Sequence, residues 1–276
     1  MPLPAGYHEQ LTVARAERSA ECFWSYFAAD DGEHLILPDG RSDVIFRFRP
    51  DGRGGATSVM PIVTGPAMMP HRTLCRGGDA WVGVRMRPQR NAMLCDNGQN
   101  PAKNAVWRGR DAVDRVPRLG EIGAGTDDVG RLEQILRDIA ASAAPAPHTG
   151  LERAVDLLHL SGGRMRMAAL AARCALSARQ LHRLFVANIG LAAKEFACLL
   201  RFHRALRLIA GAGLPPADVA LEAGFADQAH MCRDFMRFGG FSPSRIPPGL
   251  TLPGILAPGL LADRVQFIQD RQTAAG

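Results

Sequence analysis

Lysine is almost missing from this 276-residue chain: Lys103 and Lys194 are the only two among 33 basic residues. Together with 29 glycines and abundant alanine, that bias reflects a GC-rich coding sequence more than a chemical role. Long apolar runs are missing too. A bilayer span needs roughly 18 consecutive apolar residues, and the most apolar late segment, Leu250 to Leu261, is broken by Pro253 and Pro258. The opening MPLPAGYHEQ has neither a basic start nor an apolar run, so no secretion signal is expected and the protein is expected in the cytoplasm. The six cysteines (22, 75, 95, 174, 198 and 232) form no CxxC-like pair, which argues against zinc and for reduced thiols. No GxxxxGK[ST] occurs, and Gly123-Ala124-Gly125 lacks the third glycine of a dinucleotide fingerprint. His8, His34, His71 and His148 show neither H-x-H nor H-E-x-x-H spacing. No cofactor, no metal and no membrane partner are therefore expected.

A hydrophobic content of 47% can build a substantial core, and the length suits two domains of ordinary size. The charge is uneven. Residues 1–149 hold 18 basic and 18 acidic side chains, whereas residues 150–250 hold 13 basic and 7 acidic. The whole net charge of +6 therefore sits in about 100 residues, a surplus that attracts phosphate without specifying sequence.

Up to about residue 95 the pattern is one of strands and turns. His34 to Leu37, the turn Pro38-Asp39-Gly40, and Asp43 to Phe48 read as a hairpin. Thr57 to Val63 and Trp81 to Arg87 are further strands, and Pro88 starts a short helix through Leu94. Arg85 and Arg87 share one strand face, for which a solvated surface is the default and an anion site the alternative. Cys22, Cys75 and Cys95 are candidate redox or alkylation sensors, Cys75 first among them because it stands beside Arg76 and a neighbouring cation favours thiolate. Residues 96–126 are polar and irregular. Asp128 to Ser142 is helical, with Val129, Leu132, Leu136 and Ile139 in one stripe that serves either a dimer seam or the helix's own domain. AAPAPHTG (143–150) is the natural linker.

Beyond the linker the chain contains itself twice. Residues 170–193 resemble residues 219–243: Ala171 matches Ala220 at an offset of 49, and Arg183, Phe185 and Gly190 match Arg233, Phe235 and Gly240 at an offset of 50. The inserted residue falls in the turn, where insertion costs least. Each copy reads as helix, tight turn, helix. Ser177 and Gln180 have capping-box spacing. Past them, Leu181, Leu184 and Phe185 face inward while Arg179, His182, Arg183 and Val186 face outward. In the second copy Met231, Phe235 and Phe238 face inward; Ala229, Cys232, Arg233 and Met236 face outward, with Gln228 and His230 at the edges. Arginine can donate two hydrogen bonds to guanine, so such helices suit a DNA major groove. Lys194 to Ala210 joins the copies as one helix of about 25 Å, comparable with the roughly 34 Å between successive major grooves. Ser242-Pro243 starts a last short helix. A plain helical bundle would use the same phenylalanines and leucines. It would not account for an arginine kept on both outward faces where the charge surplus also lies.

The stretch DVALEAGFADQAHMCRDFMRFGGFSPSRI (218–246) is similar to the signature of the AraC/XylS family. The resemblance covers residues 151–246 and implies a seven-helix DNA-binding fold. It places Arg179, His182, Arg183, Gln228, Ala229, His230 and Arg233 on the DNA side. Gly190-Leu191-Ala192-Ala193 departs from the family's Gly-x-Ser-Pro, and Met231 and Cys232 replace the usual Phe and polar residue. Leu37-Pro38-Asp39-Gly40, Asp43 to Phe48 and Gly83-Val84-Arg85 through Pro88 resemble an uncharacterised sensor-type domain that precedes this one in relatives. Arg41 stands where those relatives have cysteine.

The reading is an α+β chain: a β-rich sensor domain (1–142), a linker (143–150), an all-α DNA-binding domain with two helix-turn-helix units (151–248) and a tail (249–276). The expected function is a DNA-binding transcription regulator, an activator by family analogy, and not an enzyme. Its expected partners are double-stranded DNA and RNA polymerase, with a small-molecule effector and a homodimer as further possibilities. The alternatives are a DNA-repair or ligand-modifying enzyme fused to this domain, for which no nucleophile motif is found, and an architectural DNA binder without a ligand.

Overall fold

The computed structural model describes residues 6–11, 19–94, 102–123, 127–142, 148–212 and 214–247. Cys95, Gly125, residues 143–147 of the linker and the tail lie outside the described residues. The first part is built on a seven-stranded sheet from β1 (Gly6–Leu11), β2 (Ala20–Phe27), β4 (Asp43–Pro50), β5 (Gly55–Thr64), β7 (Ala80–Met86), β8 (Val106–Arg108) and β9 (Asp127–Asp128). Their order is β1-β2-β7-β4-β5-β8, with β9 also on β5, and all pairings are antiparallel. A separate ribbon pairs β3 (Gly32–Ile36) with β6 (His71–Cys75).

Alternation along the strands sorts the two faces. Val44, Phe46 and Phe48 of β4 and Val82, Val84 and Met86 of β7 bury themselves with Leu132, Ile135, Leu136 and Ile139 of α2 (Val129–Ala141). The helix stripe therefore packs on its own sheet, which removes it as a dimer seam. Asp128 caps α2, accepting from the Gly130 amide. The region expected to be irregular carries α1 (Arg110–Arg115) and a 3-10 turn at Pro117–Glu121. Pro88–Leu94 is helical as expected, of 3-10 type.

Two expectations for this part fail. The hairpin across Pro38-Asp39-Gly40 does not form: β3 pairs with β6, and β4 lies between β5 and β7. Arg85 is not solvated but buried. It donates to Glu9 Oε1 at 3.0 Å and stands 3.4 Å from both Asp39 Oδ2 and Asp43 Oδ1. Arg41, also buried, holds both oxygens of Glu21 and the Asp39 carbonyl. Burial pushes the Asp43 carboxyl up to about 6, so one of these crowded carboxylates takes a proton readily.

The second part is helical: α3 (Thr149–Leu160), α4 (Met167–Arg173), α5 (Ala178–Ile189), α6 (Ala193–Ala212), α7 (Pro216–Ala223) and α8 (Gln228–Phe238). α3 begins at Thr149, capped by His148. These are six helices among the described residues; the seventh, expected at Ser242-Pro243, is a turn closed by Arg245 N–H on the Ser242 carbonyl. α6 is the axis, with Phe196, Leu199, Phe202, Ala205 and Leu206 buried along it. Its core also takes in Leu37 and Met68 from the first part. The loop read as a hairpin turn is thus a plug set against α6. A Cβ on Gly40, which has φ +73, would come within 3.0 Å of Phe196 Cδ2, so glycine is required there.

Candidate nucleic-acid interface

The first unit is α4, a turn, and α5. The turn passes through Ala175 at φ 53, and α5 opens with the expected capping box: Ser177 Oγ accepts from the Gln180 amide, and Gln180 Oε1 from the Ser177 amide. This satisfies two free donors and fixes where the helix starts. Leu181, Phe185 and Ile189 are buried and hold α5 down. On the opposite side Arg179, His182, Arg183 and Val186 are all exposed, one behind another along the helix.

The second unit is α7, a turn, and α8. Gly224 turns the chain at φ 90, the position equivalent to Ala175. Asp227 caps α8 by accepting from the His230 amide, which also sets a negative charge on the helix's positive end. Met231, Phe235 and Phe238 are fully buried. Gln228, Ala229, Arg233 and Met236 are exposed. His230 is half-buried, its ring edge-on to Phe225 at 5.2 Å, so its imidazole is partly committed to the turn.

The first unit brings all four predicted outward residues to one accessible face; in the second, Gln228, Ala229, Arg233 and Met236 are exposed while Cys232 and His230 are half-buried. Both faces keep an exposed arginine at the same register, Arg183 and Arg233. Exposed Arg164, Arg166, Arg173 and Lys194 lie on the segments flanking α5. Such a surface can neutralise phosphates and present guanidinium forks to base edges. α6 spans about 30 Å at 1.5 Å per residue, a little longer than the sequence pattern indicates.

Sequence reasoning missed the joint between this surface and the β-rich part. Asn91, in the 3-10 helix, donates to the Ile189 carbonyl at the end of α5 and to the Gly40 carbonyl, and accepts from the Ser42 amide. His203 of α6 meets the Pro38 carbonyl at 2.8 Å, and Lys103 pairs with Glu195 at 2.8 Å. The three pairs that cross between the parts, Asn91–Ile189, Lys103–Glu195 and His203–Pro38, are 92 to 165 residues apart in sequence, a separation at which no local pattern carries a signal.

The sensor expectation for Cys75 is not supported by its surroundings. Burial and the neighbouring Asp79 push its thiol up, and Arg47 only partly offsets them. Among the described residues no His, Cys, Asp or Glu cluster is placed to hold a metal ion, and no helix is long and apolar enough to cross a membrane.

Residues 170–246 match the family model of a helix-turn-helix domain. No curated protein matches the chain. Among solved structures, an AraC-type DNA-binding regulator from Chromobacterium violaceum is 22% identical over 40% of this chain and 95% of its own, with a TM-score of 0.34. The C-terminal domain of AraT, a response regulator from Geobacillus stearothermophilus, is 17% identical over 42% and 97%, with a TM-score of 0.36. Fatty-acid-bound ToxT from Vibrio cholerae is 13% identical over 83% and 96%, with a TM-score of 0.44. Residues 170–246 carry a helix-turn-helix domain: the family match and the two helix-turn-helix units, α4–α5 and α7–α8, define it.

Proposed function

We propose that this protein is a transcription regulator that recognises promoter DNA with α5 and α8 and takes its instruction from the β-rich part. The observation that carries the reading is the repetition of one device. Two capped helices, held down by buried phenylalanines, each keep an exposed arginine at the same register. Arg179, His182 and Arg183 supply most of the contacts of the first unit. Gln228, Ala229, His230 and Arg233 form the second, sparser one. The working division is 1–142 for the sensor, 143–150 for the linker and 151–248 for DNA binding. Activation through RNA polymerase, an effector and a dimer complete the proposal by analogy with such regulators.

The joint supports signal control. The 3-10 helix Pro88–Leu94 packs against α5, and Asn91 bonds the last turn of that helix. A change in the sheet that moves this segment therefore moves a recognition helix, which is the coupling a regulator needs.

The test is affinity for DNA upstream of the protein's own gene, and for sites selected from a random library, across a salt series. Wild type should bind selected sites tightly with steep salt dependence, and Arg183→Ala should bind more weakly and less selectively. If neither source yields DNA bound better than random sequence, the reading is wrong.

A further inference from the structure

Comparing the outward faces of α5 and α8 position by position, at the offset of 50, shows what the two units share and what they do not. Arg179 stands opposite Ala229, and His182 opposite Cys232; these pairs differ in size and in hydrogen-bonding groups. Arg183 and Arg233 are the same. Val186 and Met236, one turn further on, are both apolar. They are also exposed, by 44% and 57%, so neither is there to fill a core. Exposed apolar side chains are ordinary when scattered singly. These two fall at one register, each three residues beyond the retained arginine, on faces otherwise occupied by polar or small groups.

Resting on the DNA-binding reading, we propose that Val186 and Met236 are specificity residues that read thymine 5-methyl groups. Each acts beside a guanine taken by Arg183 or Arg233. The major groove offers an apolar side chain one apolar feature, the thymine methyl, and offers an arginine the O6 and N7 acceptors of guanine. Residues three apart on a helix are about 4.5 Å apart along its axis, and base pairs about 3.4 Å apart along the duplex. The guanine and the thymine of each half-site therefore lie within about two base pairs of one another, the thymine on either strand. The two half-sites repeat this pairing about one helical turn apart. Continuity with the arginine on the same face commits the patch to DNA rather than to a protein partner.

The experiment starts from sites selected by the full-length protein from a random library. In one half-site at a time, thymine beside guanine is replaced by deoxyuridine, which removes the methyl and leaves the base edge intact. Wild type should lose about four-fold in affinity per methyl, the worth of one buried methylene-sized group. Val186→Ala should lose that sensitivity in its own half-site and keep it in the other, and Met236→Ala should show the converse. Both positions are exposed, so the fold is expected to survive, and unchanged thermal melting of each variant checks this. Selected sites without a thymine or its paired adenine within two base pairs of guanine would overturn the proposal. Equal deoxyuridine effects in wild type and both variants would do the same. Failure to select any sequence is a separate result: it removes the DNA reading itself and this inference with it.

Discussion

Asn91 Nδ2 donates to the Ile189 carbonyl at 3.0 Å, joining a 3-10 helix that follows the β-sheet to the last turn of α5. The side chain is fully buried and uses both ends, accepting from the Ser42 amide at 3.2 Å as well. Asn91→Ala takes the side-chain partner from three buried backbone groups, the Ile189 and Gly40 carbonyls and the Ser42 amide. The expected cost is about 1–3 kcal/mol, measured by urea denaturation. The second consequence is functional. DNA affinity should respond less to whatever signal acts on the first part, while affinity of the unliganded protein changes little. A variant with wild-type stability and an unchanged response would show that this bond is not a joint.

His203 gives a pH prediction. Its Nε2–H donates to the Pro38 carbonyl, and burial drives the imidazole down to about 4 from an ordinary 6.5; burial drives His159 down to about 4 as well. Both folded values lie below the unfolded one. The stability they contribute is therefore present above about pH 6.5 and is lost as pH falls toward 4, where the unfolded chain binds protons that the native chain refuses. Each is worth roughly 3 kcal/mol across that window. Asp43 acts with the opposite sign, since its carboxyl is raised from 3.8 to about 6 and the native state gains protons there. These three groups together contribute a loss of about 3 kcal/mol between pH 6.5 and 4, read from denaturation midpoints; His34 and His71, also lowered by burial, act in the same direction. His203→Gln should flatten the slope, and an unchanged slope would place the effect elsewhere.

The turns of the two units invite a direct comparison. Ala175 sits at φ 53, where a Cβ is strained, while its counterpart Gly224 sits at φ 90 with no Cβ to strain. Ala175→Gly should raise stability by up to about 1 kcal/mol, the left-handed penalty outweighing the entropy glycine adds to the unfolded chain. Gly224→Ala should do the reverse and more, because its Cβ would come within 2.4 Å of Arg164 Cγ as well. Thermal melting of the two variants decides it; shifts of the same sign would refute the comparison.

The helical part was largely legible because its signals are local. Ser177 and Gln180 are three residues apart, Gly224 marks its own turn, and the buried positions of α5 recur within one or two turns. The β-rich part hid its two main features because both depend on distant partners. Pro38-Asp39-Gly40 carries turn chemistry, yet Gly40 faces Phe196 across more than 150 residues, and β3 finds its strand partner only at His71–Cys75. Arg85 alternates along β7 like a surface residue. Its burial is set by Glu9, Asp39 and Asp43, which reach it from β1, from the plug loop and from β4. Nothing in the sequence near residue 85 states that these carboxylates converge on it. The outward faces of α5 and α8 were visible as faces, but the partial burial of His230 against Phe225 was not.

Arg41 offers the sharpest test of the buried ionic layer. Its side chain is 2% exposed and held by Glu21, which is itself 18% exposed. A charge so placed is tolerated only while its partner remains, because the protein cannot resolvate it. Glu21→Ala should therefore cost about 3–5 kcal/mol, far more than removal of an exposed ion pair such as Arg72–Glu33, which should cost under about 1 kcal/mol. Replacing both Arg41 and Glu21 by apolar residues of similar volume should recover most of the loss, since the uncompensated charge goes with its partner. A double-mutant cycle on urea denaturation measures this coupling. If Glu21→Ala proves as mild as Glu33→Ala, water reaches Arg41 and the layer is not closed. The plug loop would then be held by its other contacts, among them Leu37 and Gly40 against α6, the His203 bond and the Asn91 bond to the Gly40 carbonyl.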